Sequence, residues 1–141
     1  CMLVETDAQL KEFLTLCEKS SYMAIDTEFL REKTYYAKLC LIQVAIEDCI
    51  AIIDPFTISD LTVMASVLRN PEIVKIFHAS SQDIEILYHE TGVVPSPVFD
   101  TQVAAALLGK SQQVLMRCWF NPFVKLPCQK RTLLPTGHVS A

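Results

Sequence analysis

The segment Tyr22-Met-Ala-Ile-Asp-Thr-Glu-Phe29 alternates large apolar residues with small or charged ones. Successive side chains of a strand point to opposite faces, so this pattern predicts a β-strand with Asp26 and Glu28 on one face. Two carboxylates on one face repel each other unless a cation or a proton lies between them. The pair is therefore a candidate metal site; the alternative is a polar strand face in water.

The residues around this strand predict an α/β fold. Leu39–Ala45 and Cys49–Asp54 have the composition of strands, and the short acidic gap between them predicts a hairpin. Further along the chain, extended and helical patterns alternate. The sequence therefore predicts a mixed sheet, an antiparallel meander followed by β-α-β, flanked by helices. The later strands are predicted at Ile73–Phe77 and Val98–Phe99, and the helices at Leu10–Cys17, Asp60–Leu68, Ser81–His89 and Thr101–Leu108.

A third carboxylate, Asp83, lies near the start of a predicted helix that follows a buried strand. In a sheet flanked by helices, strand ends and helix starts converge at one edge of the sheet, so Asp83 is expected near Asp26 and Glu28. Three carboxylates form a hard-oxygen site that favours Mg²⁺ or Mn²⁺ over zinc. His78, at the end of the preceding strand, fits a hydrogen-bonded strand-end histidine better than a ligand.

Composition excludes several classes of protein. The chain has 141 residues, 51% of them hydrophobic, and a net charge of −4 at pH 7. A disordered tail would be poorer in apolar residues, and no apolar run approaches the ~20 residues of a membrane span. No secretion signal is visible, so we expect a cytoplasmic protein without a membrane partner. The acidic balance argues against nucleic-acid binding by a general basic field, but not against a metal-dependent nuclease.

The charge pattern breaks after Asp100. All 16 acidic residues lie between Glu5 and Asp100, whereas residues 101–141 contain none and carry five basic residues. One explanation is a basic arm for nucleic acid. However, the charges are scattered and the apolar residues there show no clear period.

Three segments in order resemble the motifs of the ribonuclease D family. They are Met23–Gln43 (M-A-I-D-T-E-F-L-R-E-K-T-Y-Y-A-K-L-C-L-I-Q), Ile76–Leu87 (I-F-H-A-S-S-Q-D-I-E-I-L) and Val98–Ala106 (V-F-D-T-Q-V-A-A-A). The resemblance covers about residues 4–114 and places an exonuclease domain at residues 1–114. It implies a ribonuclease-H-like fold and a 3′→5′ exoribonuclease of the DEDD superfamily that trims tRNA precursors from the RNA 3′ end.

The resemblance also implies a site. Asp26, Glu28 and Asp83 correspond to three of the family's acidic residues and are expected to be catalytic ligands of two divalent cations, Mg²⁺ or Mn²⁺. Asp100 is expected to be a helix cap or to support a ligand rather than to bind metal. No obligate protein partner is implied. The candidate substrate-binding residues are Thr27, Phe29, Tyr36 and His78.

The chain departs from the family after residue 114. The family's last motif is a Tyr followed four residues later by the fourth Asp, and no Asp, Glu or Tyr follows Asp100 here. A shifted reading of codons compatible with Met116–Ala141 yields a stop-free, acid-containing segment with an F-T-D-W-S-R block that resembles ribonuclease D. We therefore predict that residues 115–141 are an aberrant, out-of-frame tail. The functional alternative is a catalytically impaired nucleic-acid-binding remnant that lacks the fourth acidic ligand.

Overall fold

The computed structural model describes residues 1–109, which form a six-stranded sheet with helices packed against it. The strands are β1 (Met2–Val4), β2 (Tyr22–Leu30), β3 (Lys38–Ala45), β4 (Ile50–Ile53), β5 (Val74–Phe77) and β6 (Val98–Asp100). The helices are α1 (Asp7–Cys17), α2 (Ala65–Leu68), α3 (Ser81–Thr91) and α4 (Thr101–Leu107), and a 3₁₀ turn (Leu61–Met64) leads into α2. The predicted tail at residues 115–141 lies outside the described residues.

The sheet has the strand order β1-β4-β3-β2-β5-β6 and is mixed. Strand β3 runs antiparallel to both of its neighbours, β2 and β4, and β3 and β4 form the predicted hairpin. Strand β5 is parallel to β2, and β6 is parallel to β5. The predicted meander followed by β-α-β is therefore confirmed.

One strand was not predicted. Met2–Val4 forms β1, which pairs in parallel with β4 at the edge of the sheet. Three residues are too few to show an alternating pattern, so this strand could not be predicted from the sequence. Its partner β4 lies more than forty residues further along the chain. Val4 is fully buried there.

The hydrophobic core joins the inner face of the helices to the central strands. Helix α1 begins with a capping box in which Thr6 accepts from the backbone of Gln9 and the Gln9 side chain accepts in return. Its apolar residues recur at helical spacing, as predicted, and they are buried together with residues of β2 and β3. The buried residues of α1 are Leu10, Phe13, Leu14 and Cys17.

The predicted helix over residues 60–68 is divided in two. Asp60 accepts from the backbone of Thr62, which closes a 3₁₀ turn, and α2 follows with only four residues. A short tight turn of this kind cannot be distinguished from an α-helix by periodicity alone. Within residues 1–109, no helix is long and apolar enough to cross a membrane.

Strand β2 is much longer than its neighbour β5, and this difference in length creates the site. Only Tyr22–Ala24 of β2 pair with β5, which ends at Phe77. The part of β2 that carries Asp26 and Glu28 therefore extends past the end of β5, and its backbone there needs another partner.

Candidate active site

Helix α3 supplies that partner through Asp83. The Asp83 Oδ1 atom accepts hydrogen bonds from the Thr27 backbone nitrogen at 3.1 Å and from Thr27 Oγ1 at 2.5 Å. Both residues are buried. The Asp83 carboxylate thus takes the place that a longer β5 would have filled, and it links the first turn of α3 to the middle of β2. The predicted convergence of Asp83 with the Asp26–Glu28 strand is confirmed by this contact.

The turn between β5 and α3 is held from a distance by Asp100. Ala79 has a φ of 58°, in the left-handed region that costs a residue with a Cβ roughly 1 kcal/mol. The carboxylate of Asp100 accepts from the backbone nitrogens of Ala79 at 3.1 Å and of Ser80 at 2.8 Å. Ser80 occupies the N-cap position of α3 but makes no side-chain capping bond. Asp100, twenty residues later in the chain, instead holds the turn that leads into α3.

Asp100 caps the helix that it precedes, α4. Its side chain accepts from the Gln102 backbone nitrogen at 2.8 Å, as the predicted N-cap of α4. Burial acts to raise the pKa of Asp100, but the hydrogen bonds from Ser80, Gln102 and Ala79 outweigh it and lower that pKa to about 2. One carboxylate therefore joins the starts of two helices and fixes the position of α3.

The three candidate ligands form an electrostatically strained group. Burial, followed by repulsion from Asp83 and Glu28, raises the pKa of Asp26 to about 7. Burial and the charge of Asp83 raise the pKa of Glu28 as well. Burial also raises the pKa of Asp83, although the two hydrogen bonds from Thr27 oppose it. All three groups are harder to ionise than free carboxyls, which is the condition that a nearby cation relieves.

The donor chemistry fits hard divalent cations, whereas the carboxylates are not assembled into a closed cage. Within residues 1–109, no three or more His, Cys, Asp or Glu side chains are grouped so that they could already hold a metal ion. Asp83 uses one of its oxygens to bind Thr27. Asp26, Glu28 and Asp83 are close enough to repel each other, but their oxygens are not yet arranged around a single metal position.

The predicted substrate-binding residues occupy different surroundings. Thr27 is buried against Asp83. Phe29 is partly buried and packs against the hydrophobic core. Tyr36 is 54% exposed, and its ring stacks on His89 of α3. His78 Nδ1 lies 2.9 Å from Thr101 Oγ1, so His78 is the hydrogen-bonded strand-end histidine that the sequence favoured. Their contacts with substrate stay predictions.

Gln43 is a residue to which the sequence assigned no role of its own. It lies on β3 directly opposite Asp26 on β2 and is only 4% exposed. Directly opposed residues of an antiparallel pair share a face, with Cβ atoms about 5 Å apart. The signal was present in the sequence, because Gln43 is the one polar residue in the otherwise apolar run Leu39–Ala45.

Comparison with known proteins identifies the lineage. A model of the 3′-5′ exonuclease family matches residues 1–131. The chain belongs to this family. A ribonuclease D of Bartonella henselae is 42% identical over 122 residues, which cover 82% of this chain and 30% of that protein. A ribonuclease D of Sphingobium indicum is 38% identical over an alignment that covers 93% of this chain and 38% of its own length.

Solved structures of exonucleases show the same fold. Escherichia coli ribonuclease D, described as an exoribonuclease involved in structured RNA processing, matches with a TM-score of 0.75 and 37% identity over 79% of this chain and 30% of that one. Trypanosoma brucei ribonuclease D in complex with RNA U12 matches with a TM-score of 0.63 and 27% identity over 72% of this chain and 37% of that one. The ribonuclease-H-like architecture expected from the sequence is confirmed. The chain spans roughly a third of the length of these relatives.

Proposed function

We propose that this chain carries a 3′→5′ exoribonuclease site of ribonuclease D type, which removes nucleotides by phosphodiester hydrolysis at the RNA 3′ end. The observation that carries the proposal is the hydrogen bonding of Asp83 to Thr27. It ties a third carboxylate to the D-T-E strand in a chain whose relatives are named ribonuclease D.

The carboxylates are the proposed holders of the divalent ions. Asp26 and Glu28 lie on one face of β2, and Asp83 approaches from α3. When bound, two divalent cations orient the phosphate, supply an activated water and stabilise the leaving oxygen. The raised pKa values of all three groups mean that their negative charges are unfavourable, and a bound cation would stabilise them.

The remaining residues are proposed to position the site and the terminal nucleotide. Thr27 keeps Asp83 directed toward β2, and Asp100 fixes the start of α3 through Ala79 and Ser80. Phe29, which follows Glu28, offers an aromatic surface for the terminal base. We further propose that tRNA precursors in the cytoplasm are the natural substrate.

A specific observation supports a second candidate, a nucleic-acid-binding remnant with impaired catalysis. No Asp, Glu or Tyr follows Asp100, so the sequence lacks the residue types of the family's last acidic motif. The two candidates agree on RNA binding and differ in turnover.

A cleavage assay distinguishes them. A 5′-labelled single-stranded RNA is incubated with the full chain and Mg²⁺ or Mn²⁺, and stepwise shortening from the 3′ end is followed. An exonuclease should shorten the RNA, and Asp26→Asn and Asp83→Asn should each abolish the shortening, while the matched exposed control Glu12→Gln should retain it. Binding without shortening would favour the remnant, and shortening that survives Asp26→Asn would refute the proposed site.

Cation binding is checked independently of cleavage. Mn²⁺ titration followed by calorimetry should show uptake by the full chain that Asp26→Asn weakens by at least about tenfold, since a direct ligand is lost. Equal uptake by both proteins would contradict the assignment of Asp26 as a ligand.

A further inference from the structure

The segment from the end of β2 to the first residue of β3 carries an unusual share of the surface cations. Residues 1–109 contain sixteen acidic and seven basic residues, and one of the basic residues, Lys75, is fully buried. Three of the other six, Arg31, Lys33 and Lys38, lie within eight positions of one another and are all exposed. Glu32 is the only acidic residue among these eight. The segment Arg31–Lys38 is therefore a local positive region on an otherwise acidic protein.

The same segment exposes two aromatic rings. Tyr35 is 86% exposed and Tyr36 is 54% exposed. Their rings meet edge to face, with centroids 4.9 Å apart and planes at 83°. Tyr36 in turn stacks on His89, with centroids 4.4 Å apart and planes at 12°. That stacking fastens the segment to α3 while the ring of Tyr35 stays open to solvent.

The segment adjoins both elements that carry the candidate ligands. Arg31 follows Glu28 by three residues, which is about 10 Å of extended chain. His89, to which the segment is fastened, follows Asp83 by six residues, which is about 9 Å of helix. A polymer that ends at the carboxylates and extends a nucleotide or more from them can therefore reach the segment.

Cations interleaved with exposed aromatic rings suit single-stranded nucleic acid, because cations contact the phosphates while rings stack on bases without reading the sequence. We propose that Arg31–Lys38 binds the RNA strand on the 5′ side of the scissile phosphate, with Arg31 and Lys33 on phosphates and Tyr35 stacked on a base. This inference rests on the proposed function. It adds a binding region for the body of the substrate, separate from the site that holds its 3′ end.

The test compares RNA lengths under conditions without cleavage. Fluorescence anisotropy in EDTA measures the affinity of the full chain for an oligouridylate of about twelve nucleotides and for a dinucleotide. Arg31→Ala/Lys33→Ala should weaken binding of the long RNA and lower the slope of log affinity against log salt by about 1.4, at about 0.7 for each lost phosphate contact. Tyr35→Leu should lower the affinity for the same RNA about tenfold, whereas Tyr35→Phe, which keeps an aromatic ring, should leave that affinity unchanged. Dinucleotide affinity should not change.

Matched controls keep the outcomes distinct. Lys11→Ala/Lys19→Ala removes two exposed cations elsewhere and should leave the slope unchanged, and thermal unfolding verifies that every variant is folded. If the unmodified chain binds and shortens RNA but the segment variants bind the long RNA equally well, this inference is wrong and the proposed function stands. If the unmodified chain does not bind RNA at all, both are wrong.

Discussion

At the scale of single residues, the partly buried carboxylate of Asp26 lowers the stability of the folded chain at neutral pH. Its pKa is about 7 in the folded protein and near 3.8 when unperturbed. Between those values the folded state binds more protons than the unfolded state, so this group makes stability fall as pH rises through that window. The site therefore stores repulsion at neutral pH that a bound cation can relieve.

Asp26→Asn should consequently stabilise the chain while it disables the site. Without divalent cations at pH 8, the free energy of unfolding should rise by roughly 1–3 kcal/mol, because the buried negative charge is gone. The gain should shrink toward pH 4, where the aspartate is protonated in the folded state and close to half protonated in the unfolded state. Urea unfolding at the two pH values measures this, with Glu12→Gln as the control. A variant less stable than the parent at pH 8 would contradict the electrostatic account.

Among the elements, the starts of α3 and α4 depend on Asp100. The folded pKa of Asp100 is about 2, below the unperturbed 3.8, so its stabilising effect is present above pH 4 and is lost as pH falls through about 2. Asp100→Ala removes the acceptor for the backbone nitrogens of Ala79, Ser80 and Gln102.

We expect Asp100→Ala to lower the free energy of unfolding at pH 7 by about 2 kcal/mol, since the cap of α4 and the acceptor for the turn before α3 are both lost. Thermal unfolding at pH 7 and at about pH 3 should show a smaller difference between variant and parent at the lower pH. Asp48→Asn, an exposed carboxylate in the β3–β4 turn, should change stability by less than about 0.5 kcal/mol. An Asp100→Ala variant as stable as the parent would show that the start of α3 does not need these hydrogen bonds.

The connection of β5 to β6 depends on a buried lysine. Lys75 is fully buried, and its Nζ donates to the carbonyl oxygens of Asn70, Ile73 and Ser96 at 2.6–2.8 Å. Burial lowers the pKa of this ammonium to about 8. The lysine thereby joins the segment before β5 to the segment before β6, the strand that ends at Asp100.

Lys75→Met keeps the apolar stem and removes all three donors. It should lower the free energy of unfolding by about 2–4 kcal/mol, because three carbonyls lose their donor. Urea midpoints measure this against Lys11→Met, an exposed control that should differ little from the parent. A stable Lys75→Met protein would indicate that the ammonium costs as much to bury as its hydrogen bonds return.

For the molecule as a whole, the expected activity follows from the missing last motif. The resemblance to ribonuclease D implies a Tyr and a fourth Asp, and residues 101–141 contain neither. We expect the 141-residue chain to shorten RNA roughly 10²–10⁴ times more slowly than a version in which the frame is restored near Leu115 through that motif. Such a ratio corresponds to about 3–5 kcal/mol of transition-state stabilisation.

Single-turnover rates of the two proteins measure that difference, with Asp83→Ala in the restored protein as the inactive control. The nucleotide sequence of the gene checks the frameshift directly, and codons incompatible with the shifted frame would end that prediction. An ordinary enzymatic rate from the 141-residue chain, abolished by Asp26→Ala, would show that the fourth carboxylate is dispensable.

The sequence by itself determined the strands, their mixed arrangement and the shared face of Asp26 and Glu28, because side-chain periodicity is a local property of the chain. It also indicated Asp83 through its place at a helix start. Only the tertiary structure decided that Asp83 accepts the hydrogen bond of the Thr27 backbone nitrogen on the unpaired edge of β2. It also decided that Gln43 lies opposite Asp26. The tertiary structure likewise decided the contact between Asp100 and the backbone of Ser80 and the pairing of β1. These contacts join residues 17 to 56 positions apart, and their energies depend on strand lengths and register that no local pattern encodes.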